Sequence, residues 1–354
     1  MYKHIIRPLL FSMSAETAHG VTMFFMKAAR YIPFYQAIVG RMFTVSHPCL
    51  EREVFGMKFR NPVGLAAGLD KNAHVYNELS ALGFGFIEVG TITPKGQLGN
   101  PKPRLFRLIG DRAIINRMGF NNHGVEAAIK NLKRRHRVIV GGNLGKNTLT
   151  PNDKAPSDYL KLFRRLYEHV EYFVINVSCP NVADLSKLQS QEALRDIVDG
   201  IVDFRRGQTV YRPILLKISP DLDHAQIDDA ITVMREYGLD GIVATNTTRS
   251  REGLSTPPET VESIGNGGLS GAPLTQRAIE TVRYVYEKTE GNYPIIGVGG
   301  IMTVDDAVNM INAGASLIQI YSGFIYNGPG FVGQICRRLV EEYESKNAEQ
   351  CEQK

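Results

Sequence analysis

The chain has 354 residues, 43% of them hydrophobic and 22% charged. That is the make-up of a globular protein with a sizeable core, and it excludes a disordered, collagen-like or coiled-coil chain. The formal charge of +5 is unevenly spread: residues 1–50 carry +4 (Lys3, Arg7, Lys27, Arg30 and Arg41 against Glu16) and the rest only +1. No basic stripe with interleaved aromatics is present, so nucleic acid is not an expected partner. Four scattered cysteines (Cys49, Cys179, Cys336 and Cys351) make neither a CxxC pair nor a disulfide framework, so no metal centre is expected.

No apolar run is long enough to span a bilayer. Residues 15–31 read as a helix ended by Pro33. At 100° per residue, Glu16, His19, Lys27 and Arg30 fall on one side, and Ala18, Val21, Phe25 and Ala28 on the other. A second short helical pattern carries Phe34, Ile38, Val39, Met42 and Phe43. Two such helices suit either a cap over the body or the plane of a membrane surface. Residues 1–45 are assigned to this amphipathic module and 46–354 to the body.

From Asn61 onward, short apolar runs alternate with helical patterns. The strands are expected at 61–67, 84–91, 138–143, 172–177, 214–218, 241–245, 294–298 and 317–321. The helices are expected at 72–82, 121–135, 157–168, 190–205, 224–237, 273–289, 303–313 and 330–344. Runs such as YFVINV and PIIGVG are continuous rather than alternating, as parallel strands beneath helices are. Eight β-α units in succession imply an α/β fold, a (β/α)8 TIM barrel with a small N-terminal helical extension. The stretch 92–120 reads as an elaborated loop at the top.

Chemistry in such barrels sits at the C-terminal strand ends. Here those ends carry Lys71, the GTITP run, Asn143, then Asn176 with Cys179 and Asn181, then Lys217, then Thr245 with Asn246, and finally GVGG and YSG. Gly299, Gly300, Ser322 and Gly323 can offer N–H groups and a hydroxyl to a phosphate, with the N-terminus of the 330s helix expected nearby. Two rim lysines with several asparagines suit a planar, carbonyl-rich cofactor and an anionic substrate.

The segments NPVGLAAGLDK, EVGTITP, GNPKPRLFRL, INRMGFNNHG, NLGKN, INVSCPN, ATNTT, GGLSG, PIIGVGGI and QIYSGF occur in this order across residues 1–344. In them the sequence resembles the dihydroorotate dehydrogenases, flavin enzymes of pyrimidine synthesis. The basic N-terminal extension, with SAETAH around His19, is similar to that of the membrane-associated, quinone-reducing class 2. The resemblance implies oxidation of dihydroorotate to orotate, FMN as cofactor, quinone as acceptor, and a peripheral position on the cytoplasmic side of the cell membrane. It implies FMN contacts at Ala67, Gly68, Lys71, Thr91, Asn143, Asn176, Lys217, Thr245, Gly271, Gly300, Tyr321 and Ser322. For substrate it implies Lys71, Asn116, Arg117, Met118, Gly119, Phe120, Asn176, Asn181, Asn246 and Thr247. Near the quinone it implies His19, Arg107 and Tyr321. Lys71, Lys217 and the general base make the catalytic set.

One position departs from class 2. INVSCPN puts Cys179 where that class has a serine base, as in the soluble class 1 enzymes. Ser178 is expected to point to the other side of the segment. A class 1-like enzyme using fumarate or NAD would share Cys179 but lack residues 1–45. A flavin-free barrel lyase or isomerase and a non-enzymatic membrane adaptor are the readings from other classes.

Overall fold

Each of the eight apolar runs becomes a parallel strand, and each strand is followed by at least one helix on the outside. The computed structural model describes residues 2–178, 181 and 188–352. The strands are β1 (Val63–Leu65), β2 (Phe86–Ile92), β3 (Ile139–Leu144), β4 (Tyr172–Asn176), β5 (Ile214–Ile218), β6 (Gly241–Ala244), β7 (Ile295–Val298) and β8 (Leu317–Ile320). They close in chain order into one barrel, β8 pairing with β1. Alternate residues serve two separate cores. Phe86, Tyr172, Val174, Leu215, Val243, Ile296 and Leu317 fill the inside. Ile87, Val89, Phe173, Ile175, Leu216, Ile242 and Ile318 pack outward beneath the helices. Burial on both faces is why the strands read as unbroken apolar runs.

Three features were not legible as expected. A hairpin, Arg52–Val54 with Met57–Phe59, precedes β1 and turns at Phe55 and Gly56, both with positive φ. It sends Val54 and Phe59 into the barrel floor, where the Phe59 ring meets Phe86 edge-on at 5.3 Å. Next, the 92–120 stretch is not merely a loop. Leu105–Leu108 and Ala113–Asn116 form an antiparallel sheet with Gly268–Gly271, and Lys95–Gln97 pairs with Asn122–Gly124. The helix expected from 121 therefore begins only at Val125. Finally, a short helix, Ser322–Asn327, follows β8 before the long Phe331–Glu352 helix.

The N-terminal module comprises a π-helical turn (Tyr2–Ile6) and helices Arg7–Phe11, Ala15–Ala29 and Tyr35–Phe43. The side of the helix Ala15–Ala29 that faces the barrel is mixed, Met23 and Met26 packing against the core beside Glu16, His19 and Arg30. Glu16 pairs with Arg104 at 2.8 Å and Lys102 at 3.5 Å. Arg30 reaches the His74 carbonyl and lies 3.8 Å from Glu78. The outer side of Ala15–Ala29 is left in the open, Phe24 67% and Phe25 65% exposed, and so are Phe34 (79%) and Met42 (71%) at and along the helix Tyr35–Phe43. Among the described residues, no helix is long and apolar enough to cross a membrane.

Candidate active site

The C-terminal strand ends surround a cavity roofed by the 105–120 sheet and by the helix Ala15–Ala29. Ala67, Gly68 and Lys71 reach it after β1, Thr91 from β2, Asn176 from β4 and Lys217 from β5. Thr245, Asn246 and Thr247 come from the end of β6, Gly271 from the roof sheet, Gly300 from the end of β7, and Tyr321 and Ser322 from the end of β8. Asn116, Met118, Gly119 and Phe120 come from the roof, Asn181 from the β4 loop, and His19 from the N-terminal helix.

Three residues named from the sequence do not line the cavity. Asn143 is fully buried behind the wall, held between Thr91, Asn176 and Glu88. Arg117 turns away: its guanidinium donates to the Pro103 and Ile264 carbonyls and covers the Phe106 ring. It comes directly after the strand Ala113–Asn116, its N–H still bonded to the Arg104 carbonyl, and its side chain takes the face opposite to Asn116. Arg107 likewise points outward, donating to the Leu10 and Met13 carbonyls and lying 4.5 Å over the Phe11 ring. It therefore pins the N-terminal module. Cys179 lies outside the described residues. Ser178 is buried and does not line the cavity, and its hydroxyl accepts from Asn246 at 3.0 Å.

The amides form one directed row. Asn246 Nδ2 donates to Asn176 Oδ1 at 3.1 Å, and Asn176 Nδ2 donates to Asn143 Oδ1 at 3.0 Å. Asn143 Nδ2 donates to Glu88 Oε1 at 2.7 Å. A carboxylate only accepts, so Glu88 fixes the direction of the whole row. Asn181 Nδ2 donates to Asn116 Oδ1 at 2.7 Å, which joins the β4 loop to the roof. Glu88 was not singled out in the sequence. The signal was there: it is the lone acid in FIEVGTI, in phase with the inward-facing Phe86.

Charge in the cavity has one sign. Lys71, Lys217 and His19 line it, and among the described residues no carboxylate does. His19 binds the Leu69 carbonyl at 2.9 Å; burial, reinforced by Lys71, lowers its pKa and favours the neutral ring. Lys71 Nζ donates to the Gly68 carbonyl at 2.7 Å. Tyr321 is pushed up to about 12 by burial and stays a neutral phenol. Such a site favours anionic ligands and negative charge arriving during a reaction.

The opposite end of the cavity offers open backbone and hydroxyls of the kind a phosphate would need. Gly300 has φ of +68°, and a Cβ there would lie 2.3 Å from the Thr275 nitrogen, so the backbone itself forms the wall. The Ser270 and Ser322 hydroxyls lie 2.9 Å apart. Ser322 opens the short helix after β8, which has no side-chain cap. This helix, rather than the expected 330s helix, reaches the cavity. The space between this end and the amide row is a narrow slot with Gly68 on its wall, where a Cβ would stand 3.3 Å from the Tyr321 ring. Planar ring, ribityl-type chain and one phosphate fit this set of donors.

The family model described as dihydroorotate dehydrogenase matches residues 49–343. A protein named dihydroorotate dehydrogenase (quinone) from Christiangramia forsetii is 51% identical over 342 residues, covering 97% of this chain and 99% of its own. One of the same name from Nitrosospira multiformis is 45% identical, covering 96% of both chains. The ligand-free crystal structure of DHODH from Eimeria tenella superposes with a TM-score of 0.85 at 36% identity, covering 94% of this chain and 96% of that one. The same protein in complex with ferulenol gives 0.83, with 94% and 92% covered.

Proposed function

The chain belongs to the dihydroorotate dehydrogenase family, and from that premise we propose that it oxidises (S)-dihydroorotate to orotate and passes the two electrons to a membrane quinone. The observation that carries the reading is the pairing of a cationic, amide-lined cavity with an N-terminal module whose open face is apolar. A soluble acceptor needs no such face. The cofactor is a flavin, and we assign it as FMN, because GVGG and YSG suit a single phosphate and no dinucleotide GxGxxG follows β1.

A bound flavin supplies the two-electron sink that takes hydride from C6 of the substrate. The chain's residues do the rest. Asn116, Asn176, Asn181 and Asn246 hold the substrate's carbonyls, ring N–H groups and carboxylate flat in the slot. Their mutual hydrogen bonds preorganise them before substrate arrives. Cys179 takes the C5 proton as general base, leaving the C5–C6 double bond of orotate; a thiol, with a reference pKa of about 8.5, does this near neutrality more readily than a hydroxyl. Lys217 stabilises the negative charge that builds up as electrons arrive. Lys71 spans the substrate and cofactor regions. Asn143 acts through Asn176 and Thr91 rather than by touching ligand. Quinone enters beneath Ala15–Ala29, past His19, and leaves as quinol with two electrons and two protons. The module sits peripherally on the cytoplasmic side of the cell membrane, held by its apolar face and its positive charge.

An acceptor screen tests the reading. Purified protein, given dihydroorotate, should reduce quinone and not fumarate or NAD, and denaturation should release a flavin of FMN mass. Turnover with fumarate or NAD alone returns the class 1 alternative, and release of FAD refutes the cofactor assignment.

A further inference from the structure

One wall of the phosphate end is the short helix Ser322–Asn327, whose first residues, Ser322 and Gly323, line the cavity. Six residues are too few for a helix to be stable by itself in water. Its last turn also carries carbonyls that no residue of the helix can bond. The Phe324 carbonyl is met by the Gly328 N–H. The next two are met by side chains from the start of the chain. The Tyr2 hydroxyl donates to the Ile325 carbonyl at 2.6 Å, and Arg7 Nη1 donates to the Tyr326 carbonyl at 3.1 Å.

The same N-terminal segment closes over the helix from outside. At Gly328, which ends the helix with φ of +85°, a Cβ would stand 2.3 Å from the Tyr2 ring. The Phe11 ring meets Tyr326 edge-on at 5.4 Å. Burial raises the pKa of Tyr2, so its hydroxyl keeps the proton it donates. On the barrel side, Phe324 packs edge-on against Phe84 at 5.3 Å, and the Tyr326 hydroxyl donates to the Ala113 carbonyl at 2.9 Å. The helix is thus clamped between the barrel and residues 2–11.

We infer that Tyr2 and Arg7 are positioning residues for the cofactor phosphate: by bonding the last carbonyls of Ser322–Asn327, they fix where Ser322 and Gly323 stand. The inference rests on the assignment of FMN to this cavity. Neither Tyr2 nor Arg7 lines the cavity, so both act through the helix. The Ser322 hydroxyl lies 2.9 Å from that of Ser270 on the roof sheet, and a shift of the helix would part them. The N-terminal module has ties of its own elsewhere on the barrel, Glu16 to Arg104 and Arg30 to the His74 carbonyl. Tyr2 and Arg7 add a link between the start of the chain and the hold on the cofactor.

Tyr2→Phe and Arg7→Met, singly and together, test this in the full chain. Dilution of the holoenzyme, with the rise of flavin fluorescence, gives the rate of cofactor loss. The double variant should lose FMN about 5- to 150-fold faster, the weight of two hydrogen bonds. Riboflavin has the same ring and chain without the phosphate and separates a phosphate effect from general loosening. Titrated into flavin-free protein, FMN should bind the double variant more weakly than the parent, and riboflavin should bind both equally. Glu16→Gln cuts a tie of the same module elsewhere and should release FMN at the parent rate. A double variant that melts normally and keeps FMN as the parent does overturns the inference. So does an equal loss of affinity for FMN and riboflavin, or release from Glu16→Gln as fast as from the double variant. Should the double variant fail to fold, Tyr2→Phe, which removes one oxygen, carries the test alone. A parent protein that holds FAD or no flavin refutes instead the cofactor assignment beneath the inference.

Discussion

Replacing Phe24 and Phe25 together by serine should detach the protein from membranes without unfolding it. The two rings are 67% and 65% exposed, so about two-thirds of each remains available to a lipid surface. Full burial of a phenylalanine side chain contributes about 1.5–3 kcal/mol, which leaves about 1–2 kcal/mol for each of these. Losing both costs about 2–4 kcal/mol of membrane affinity, or roughly 30- to 700-fold at 1.4 kcal/mol per decade. The substitutions touch no core contact, so thermal stability should change by no more than about 0.5 kcal/mol. Co-sedimentation with anionic phospholipid vesicles gives the partition coefficient directly. Reduction of bound flavin by dihydroorotate should remain at the parent rate, while turnover with a long-chain quinone embedded in vesicles should fall with the partition. A fall of less than about threefold, in protein that melts normally, would refute the claim that this face meets the membrane.

Cys179→Ala should slow flavin reduction by about 10²- to 10⁴-fold, the usual weight of a general base, while orotate still binds. Cys179→Ser should lose less and move its optimum to higher pH; stopped-flow rates equal to the parent's in both variants would remove Cys179 from the base role. His74→Gln should remove the fall in stability that this residue causes on the acid side. Burial, with Lys27, His123 and Arg30 nearby, takes His74 from 6.5 down to about 4. The unfolded chain therefore protonates first, and stability falls as pH drops from 6.5 towards about 4. Asp70, raised from 3.8 to about 6 by burial, has the opposite sign: its contribution is present below 3.8 and lost as pH rises through about 6. With glutamine at 74 only the Asp70 effect remains, so the melting temperature should rise from pH 7 to pH 5, whereas in the parent the two opposite effects largely offset each other. An equal difference in both proteins would count against this account.

The barrel was legible because each strand is buried on both faces and each helix carries an apolar stripe. Val125, Ala128, Ile129 and Leu132 on one helix and Leu194, Ile197, Val198 and Ile201 on another are examples. The floor hairpin was not, because three-residue strands are too short to show a period. The roof sheet was not, because Gly268–Gly271 pairs with residues about 150 positions earlier, a contact that no local pattern encodes. Most of the candidate site followed from motif positions at the strand ends. Arg117 and Arg107 do not line the cavity, because motif membership does not say which way a side chain faces. Asn143 was assigned to the wall when its amide is needed one layer further in. Glu88 went unnoticed for the same reason, since a reading of strand ends does not look down the strand.

The helix Ala15–Ala29 docks through specific polar ties as well as through Met23 and Met26, and this alters the usual rule for how a surface tolerates change. In most proteins the exposed face drifts freely while the apolar face is held by packing. Here Glu16, His19 and Arg30 are each tied to a particular partner, Arg104, the Leu69 carbonyl and the His74 carbonyl, so few replacements serve at those positions. Phe24 and Phe25 meet only each other edge-on, and with the exposed Phe34 and Met42 they answer chiefly to a requirement for apolar area. Across lineages living with different lipids, the charged positions of this helix should be the fixed ones. The aromatic positions should wander among leucine, methionine and phenylalanine, each species tuning residence on its own membrane without disturbing the chemistry below.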